Sequence, residues 1–171
     1  GRLIDFLKKS DALDNTMIIF LSDNGAEGND PRVILENRAW IPRNFDNSIE
    51  NMGNFDSHIS YGPKWAEVSA SPYKDFKGFT SEGGIKSPAF ITYKGFKRQE
   101  SINDVFLSVM DIAPTILEIA NTKHPGERYN GRQIYPIKGK SMINFLMKKE
   151  NYVHTENHVM GWELFNRIAI R

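Results

Sequence analysis

The chain has 171 residues, of which 40% are hydrophobic and 25% charged, and its formal net charge is +1. This near-neutral charge gives no electrostatic reason to expect a nucleic-acid or membrane partner, and no apolar run reaches the length of a membrane span. Because cysteine is absent, disulfides, thiolate metal sites and cysteine nucleophiles are excluded within these residues. The length is sufficient for one domain with a hydrophobic core.

The first predicted elements are a helix and a buried strand. Leu3, Phe6 and Leu7 lie on one helical face near the start of the chain. The apolar run at residues 17–21 then predicts a strand. A helix followed by a strand is half of an α/β crossover unit, so the pattern favours an α/β fold.

Two oxygen donors follow this strand. Ser22 ends the apolar run, and Asp23, Asn24 and Gly25 come next. Ligands of open α/β sheets bind beyond the carboxyl ends of strands, and a carboxylate beside a carboxamide suits a hard cation such as Ca²⁺ or Mg²⁺. Asp, Asn and Gly are also common turn residues, so an ordinary strand-to-turn junction is an equal alternative.

The segment at residues 31–77 is rich in Asn, Asp, Gly and aromatic residues. Such composition predicts a long functional loop with a short helical turn near residues 32–37. Its aromatic side chains either shape a pocket or anchor the loop on the body of the protein, and anchoring is the simpler interpretation.

A second candidate for chemistry is Lys77, just before a glycine-rich turn. Its ammonium is a compact charge suited to an oxyanion such as sulfate or phosphate. Lys74 and Lys86 could play the same part, and a solvated surface lysine is the ordinary alternative for each of the three. Gly83 and Gly84 either let backbone N–H groups approach a ligand or permit positive φ in a turn.

Two amphipathic helices are predicted in the second half of the chain. The first covers residues 111–120, where Asp111 would be the N-cap, and the second covers residues 141–149. The side chains predicted to face inward are Ile112, Ile116, Ile119, Met142, Phe145 and Leu146.

Further strands are predicted at residues 89–93, near Val153 and near Ile168. A strand near Val153 removes the helical spacing of His154 and His158, so a two-histidine zinc site is not expected there. The chain contains no G-x-x-x-x-G-K-[ST], G-x-G-x-x-G or G-x-S-x-G motif. These absences weigh against the corresponding nucleotide-cradling loops and against a serine hydrolase of that type.

Several segments, in this order, resemble the sulfatase family of the alkaline-phosphatase superfamily. The ordered set is far more specific than any one piece and covers nearly the whole chain. The segments are residues 14–16, 20–25, 77–89, 110–117, 131–132 and 139–141, while residues 47–51, 61–63, 161–165 and 169–171 are most similar to bacterial-type arylsulfatases.

The resemblance implies an α/β fold, an alkaline-phosphatase-like sheet flanked by helices. Residues 1–171 would be an incomplete part of the sulfatase catalytic domain, truncated at both ends. Asp23 and Asn24 match metal ligands of the family, for Ca²⁺ in preference to Mg²⁺, and Lys77 matches the lysine that contacts the sulfate group. The family's nucleophile is a formylglycine made within a C/S-x-P-x-R motif, which these residues lack, so it is expected upstream.

The function implied by the resemblance is hydrolysis of small-molecule sulfate esters, of the arylsulfatase type, by the full-length protein. The chain alone is expected to be inactive, because Asp23 and Asn24 supply only part of a Ca²⁺ shell of about 6–8 oxygens. One alternative is a phosphonate or phosphate ester hydrolase of the same superfamily, whose members often carry Asp-His where this chain has Asp-Asn. The other is a non-catalytic sulfatase-like domain. Compartment and oligomeric state are not predicted.

Overall fold

The computed structural model describes all residues from 1 to 171 and divides them into two compact units. The first unit comprises Gly1–Phe20 and Ala89–His158, and the second comprises Leu21–Pro88 and Val159–Arg171. None of the helices is both long enough and apolar enough to span a membrane.

Helices and short strands are mixed along the chain. The helices are α1 (Arg2–Lys9), α2 (Leu35–Asn44), α3 (Gly62–Ala70), α4 (Glu82–Ile85), α5 (Ile112–Ile119) and α6 (Ile143–Leu146). The strands are β1 (Ile18–Leu21), β2 (Ala89–Thr92), β3 (Arg128–Tyr129), β4 (Arg132–Gln133), β5 (Gly161–Leu164) and β6 (Arg167–Ile170). They form three separate two-stranded sheets, which pair β1 with β2, β3 with β4, and β5 with β6; the last two pairs are antiparallel.

The core of the first unit is one apolar cluster. Its buried members are Phe96, Met142, Phe145, Leu146 and Val153. The three predicted inward side chains of residues 141–149 are therefore buried, although α6 is a single helical turn because Lys148, with φ of 56°, lies in the left-handed region. Val153 enters this core from a loop, so the strand predicted there is wrong.

Helix α5 packs against the same core with part of the predicted face. Ile112 and Ile119 contact the cluster, whereas Ile116 is 44% exposed, which corrects the prediction that all three isoleucines face inward. Asn121 adopts φ of 50° directly after the helix, and this left-handed residue ends it.

Asp111 is the N-cap residue of α5 as predicted, but its side chain makes no capping hydrogen bond to that helix. A short 3₁₀ turn at Val109–Asp111 precedes the helix, and Ser108 caps this turn. The Asp111 side chain turns back to accept the backbone N–H of Ser108 at 2.7 Å and that of Lys140 at 2.8 Å. It also bonds His154 Nε2 at 2.8 Å, and the carboxylate is fully buried. Asp111 therefore joins three separate parts of the first unit.

The segment at residues 31–77 is more regular than predicted. It contains α2, which is longer than the turn expected near residues 32–37, and α3. Trp40, Phe45 and His58 pack on one another, with ring centroids 5.3 Å apart for the first two and 5.0 Å for the last two. These three rings therefore tie the segment to itself, and their contacts with one another do not anchor it on the rest of the protein.

Candidate active site

The predicted metal ligands lie in a turn at the end of β1. Ser22 closes the turn, because its hydroxyl donates to the Asn24 carbonyl at 2.9 Å and its N–H donates to the Pro88 carbonyl at 3.2 Å. The Asp23 side chain is exposed, and Asn24 is half-buried. Both predicted ligands therefore lie at the surface of the second unit.

Glycines bring this turn into direct backbone contact with α4. The Gly25 N–H donates to the Gly84 carbonyl at 3.2 Å. A Cβ on Gly25 would lie 2.0 Å from the Gly83 carbonyl oxygen, and a Cβ on Gly83 would lie 2.2 Å from the Asp75 carbonyl oxygen. Neither glycine of α4 has a positive φ, so the predicted positive-φ turn is wrong there. Their function is to allow close approach of backbones.

Lys77 lies beside the same turn. Its N–H donates to the Ala26 carbonyl at 2.9 Å, and its Nζ lies 2.7 Å from Oε2 of Glu27. The hydrogen bond and charge of Glu27 are the main causes of a raised Lys77 pKa, and the negative charge of Asp23 raises it further. The ammonium, Glu27 and Asp23 thus share one electrostatic environment at the rim of the second unit.

Lys86, one of the two alternative lysines, is engaged elsewhere. Its Nζ pairs with Glu82 at 2.9 Å, within the same helical turn, and lies 4.4 Å from the centre of the Tyr73 ring. The pKa of Lys86 is raised chiefly by Glu82 and, to a smaller extent, by Tyr73. Lys74 contributes its carbonyl oxygen to the Gly83 N–H at 3.0 Å.

The β5–β6 hairpin contacts the loop that carries Lys77. Arg167 donates to the Gly78 carbonyl at 3.1 Å, and its guanidinium lies 4.3 Å from the centre of the Phe79 ring. Such a cation–π contact contributes about 0.5–1 kcal/mol at an exposed site. The sequence reasoning identified neither Arg167 nor Glu27 as part of this site.

The donor set at residues 23 and 24 fits part of a calcium shell. Asp23 offers an exposed carboxylate. Asn24 donates its amide nitrogen to the Gly25 carbonyl at 3.2 Å, which leaves the amide oxygen to meet a cation. The chain has no group of three or more His, Cys, Asp or Glu side chains that could hold a metal ion. Because Ca²⁺ takes 6–8 oxygen ligands, these two side chains could supply only a minority of them.

Two histidines of the first unit, His154 and His158, pack on each other. His154 is buried against Asp111, and its ring centroid lies 4.3 Å from that of His158. Phe106 packs edge-on against His154, with 5.5 Å between centroids. This arrangement joins elements of the core of its own unit.

Comparison with known proteins shows similarity to sulfatases. The sulfatase family model matches residues 1–122. An uncharacterized sulfatase of Schizosaccharomyces pombe is 45% identical over 173 residues, which cover 100% of this chain and 31% of that protein. An arylsulfatase of Klebsiella aerogenes is 35% identical over 143 residues, which cover 83% of this chain and 30% of that protein. The chain therefore spans about a third of the length of these curated relatives.

Proposed function

This chain belongs to the sulfatase family. We propose that the full-length protein hydrolyses sulfate esters, with Asp23, Asn24 and Lys77 at the surface of the second unit as part of its active site. The observation that supports this proposal best is the backbone contact between the segment after Asp23 and Asn24 and the segment of Lys77, whose N–H donates to the Ala26 carbonyl at 2.9 Å. The pKa of Lys77 is raised mainly by Glu27, and the negative charge of Asp23 makes the smallest contribution. We infer from this contact that an oxygen ligand for a metal and a cation for an oxyanion serve one substrate.

Lys77 is proposed to contact the sulfate group of the substrate. The Lys77 side chain is 43% exposed, and its ammonium has three N–H donors, of which Glu27 takes one. The remaining donors can meet two sulfate oxygens. Since negative charge builds up on the ester as the S–O bond breaks, a fixed ammonium there stabilises the transition state more than the ground state.

Asp23 and Asn24 are proposed as two of the ligands of a Ca²⁺ ion, with Mg²⁺ less suited to a carboxylate–carboxamide pair in a larger oxygen shell. A bound Ca²⁺ would supply Lewis-acid stabilisation of a sulfate oxygen. The role of this chain's own residues is to hold the ion beside Lys77, through the turn closed by Ser22. The formylglycine implied by the resemblance would come from a part of the protein outside residues 1–171.

The substrate class is proposed to be aryl sulfates. The support is the similarity to the Klebsiella arylsulfatase, at 35% identity over 83% of this chain. Residues 1–171 would then be part of the sulfatase catalytic domain, with an alkaline-phosphatase-like α/β fold in the complete protein.

The test is a side-by-side assay of the full-length protein with an aryl sulfate, an aryl phosphonate and an aryl phosphate. We expect kcat/KM to be highest for the sulfate. Lys77→Ala should lower that value about 10²-fold, the usual effect of removing one donor to a developing oxyanion. Lys64→Ala removes another exposed lysine of the second unit and serves as the matched control. Preference for the phosphonate, or an unchanged Lys77→Ala variant, would contradict the proposal.

A further inference from the structure

The carboxylate of Glu27 is held in place from two sides. The backbone N–H of Asn29 donates to Oε1 at 2.8 Å, and Lys77 Nζ donates to Oε2 at 2.7 Å. Because one oxygen is fixed by a backbone group two residues away, the other is presented to the ammonium in a defined position. The pKa of Glu27 is lowered, first by the hydrogen bond from Lys77 and then by that from Asn29, so the carboxylate is ionised at neutral pH.

The backbone on both sides of Glu27 is fixed to the segment that carries Lys77. On one side, the Ala26 carbonyl accepts the Lys77 N–H at 2.9 Å. On the other side, Gly28 is buried against the Phe76 ring so closely that a Cβ there would lie 2.4 Å from ring carbons. Glu27 lies between these two contacts. The two side chains therefore start from backbone segments that are in contact, so their ion pair follows from the position of the backbone as well as from the lysine rotamer.

The pair also differs from an ordinary surface ion pair. Lys86 and Glu82 pair within one helical turn, so their contact orders nothing beyond α4. Glu27 and Lys77 join two segments separated by 50 positions, and one of the segments carries Asp23. Fixing a lysine ammonium costs conformational entropy, because the long side chain loses rotamer freedom. If Glu27 has already fixed the ammonium, the binding of a ligand does not carry that cost.

We propose that Glu27 is a positioning residue, which holds the Lys77 ammonium toward the anionic group of the substrate. This inference rests on the proposed function. Glu27 acts through Lys77: it takes one ammonium donor, fixes the direction of the other two and has its own charge balanced by the pair. When Lys77 is removed, the same carboxylate is left unpaired at the rim and repels an anion.

The test is a double-mutant cycle in the full-length protein, with Glu27→Gln, Lys77→Ala and the double variant. The readouts are KM and kcat for an aryl sulfate and the inhibition constant of inorganic sulfate. Glutamine keeps an oxygen for the Asn29 N–H but presents no second acceptor to the ammonium. We expect Glu27→Gln to weaken sulfate binding about two- to fivefold, the range of an exposed but ordered ion pair. Glu82→Gln, which removes the other acidic partner of a lysine, is the matched control and should bind sulfate like wild type.

The decisive result is the second step of the cycle. If Glu27 acts through Lys77, Glu27→Gln introduced into Lys77→Ala will not weaken sulfate binding further and will partly restore it. Equal weakening in both backgrounds overturns the inference, as does a Glu27→Gln variant that binds sulfate like wild type. A wild-type protein that neither cleaves an aryl sulfate nor binds sulfate refutes the proposed function itself, and the inference with it. Equal thermal unfolding midpoints for wild type and Glu27→Gln exclude a general loss of structure as the cause of an effect.

Discussion

Replacement of Gly25 by alanine tests the close backbone contact between the turn that carries Asp23 and Asn24 and helix α4. The new Cβ would lie 2.0 Å from the Gly83 carbonyl oxygen, 2.9 Å from the Gly84 Cα and 3.0 Å from the Gly83 carbonyl carbon. All three are backbone atoms, so no side-chain rotation relieves the overlap. Ordinary van der Waals contact begins at 3.4 Å, so the two backbones would have to separate by about 1.4 Å from the 2.0 Å overlap.

The expected loss in free energy of unfolding follows from these contacts. Overpacking in a well-packed region costs about 1–3 kcal/mol, and a clash between backbones belongs at the upper end. Separation would also break the hydrogen bond from the Gly25 N–H to the Gly84 carbonyl, a net loss of about 1 kcal/mol. We therefore expect Gly25→Ala to destabilise the protein by roughly 3–4 kcal/mol.

The assay is urea unfolding of the full-length protein, followed by tryptophan fluorescence. Gly161→Ala is the control, because a Cβ at Gly161 meets no atom within 4 Å and its φ is not positive. That variant should stay within about 0.5 kcal/mol of wild type. A Gly25→Ala variant as stable as Gly161→Ala would show that the turn at Gly25 and α4 are not in close backbone contact. The turn would then not be held beside the Lys77 loop.

Three further predictions concern the buried carboxylate, the charged pair and the metal. Asp111→Ala removes a fully buried carboxylate and leaves the buried His154 ring and the part-buried N–H groups of Ser108 and Lys140 without their partner, so it should cost about 3–5 kcal/mol in thermal or chemical unfolding, whereas the exposed Asp104→Ala should be nearly neutral. Because Glu27 raises the pKa of Lys77, the Glu27→Gln variant should lose its affinity for sulfate at a lower alkaline pH than wild type does. The measurement is the inhibition constant of sulfate as a function of pH, and the same pH dependence in both proteins would contradict this prediction. Removal of Ca²⁺ by a chelator should abolish aryl sulfate hydrolysis by the full-length protein, and Asp23→Ala should increase the Ca²⁺ concentration needed to restore it, as measured by titration.

The sequence predicted candidate site residues but not the side chains that contact them in the structure. Asp23 and Asn24 were identified because an apolar strand ends directly before them, which is a local signal. Glu27 was not, because its partner Lys77 lies 50 positions away and nothing next to Glu27 in the sequence indicates the pairing. Arg167 was not predicted either, because its contacts with Gly78 and Phe79 join segments that are distant in the sequence. Pairing between distant side chains leaves no periodic pattern to read.

Apolar patterns predicted burial and secondary structure unevenly. A strand forms at residues 18–21 as predicted, but it is not buried, because Phe20 is 63% exposed. Phe145 and Leu146 are buried as expected, although the helix around them is four residues long. Val153 is buried as well, in a loop and not in the predicted strand. A short apolar run alone therefore fixes neither the burial of its side chains nor the conformation of its backbone, because tertiary contacts decide both.

The charge balance of the rim links the two proposed ligands. Asp23 and Glu27 are two carboxylates against the single ammonium of Lys77, so these three side chains together are negative and disfavour an incoming anion. A divalent cation held at Asp23 and Asn24 reverses that sign. Cation and sulfate should therefore bind cooperatively, and by linkage each must strengthen the other by the same factor. Sulfate affinity that is indifferent to Ca²⁺ would mean that the cation and the ammonium serve different sites, whatever the activity of the protein.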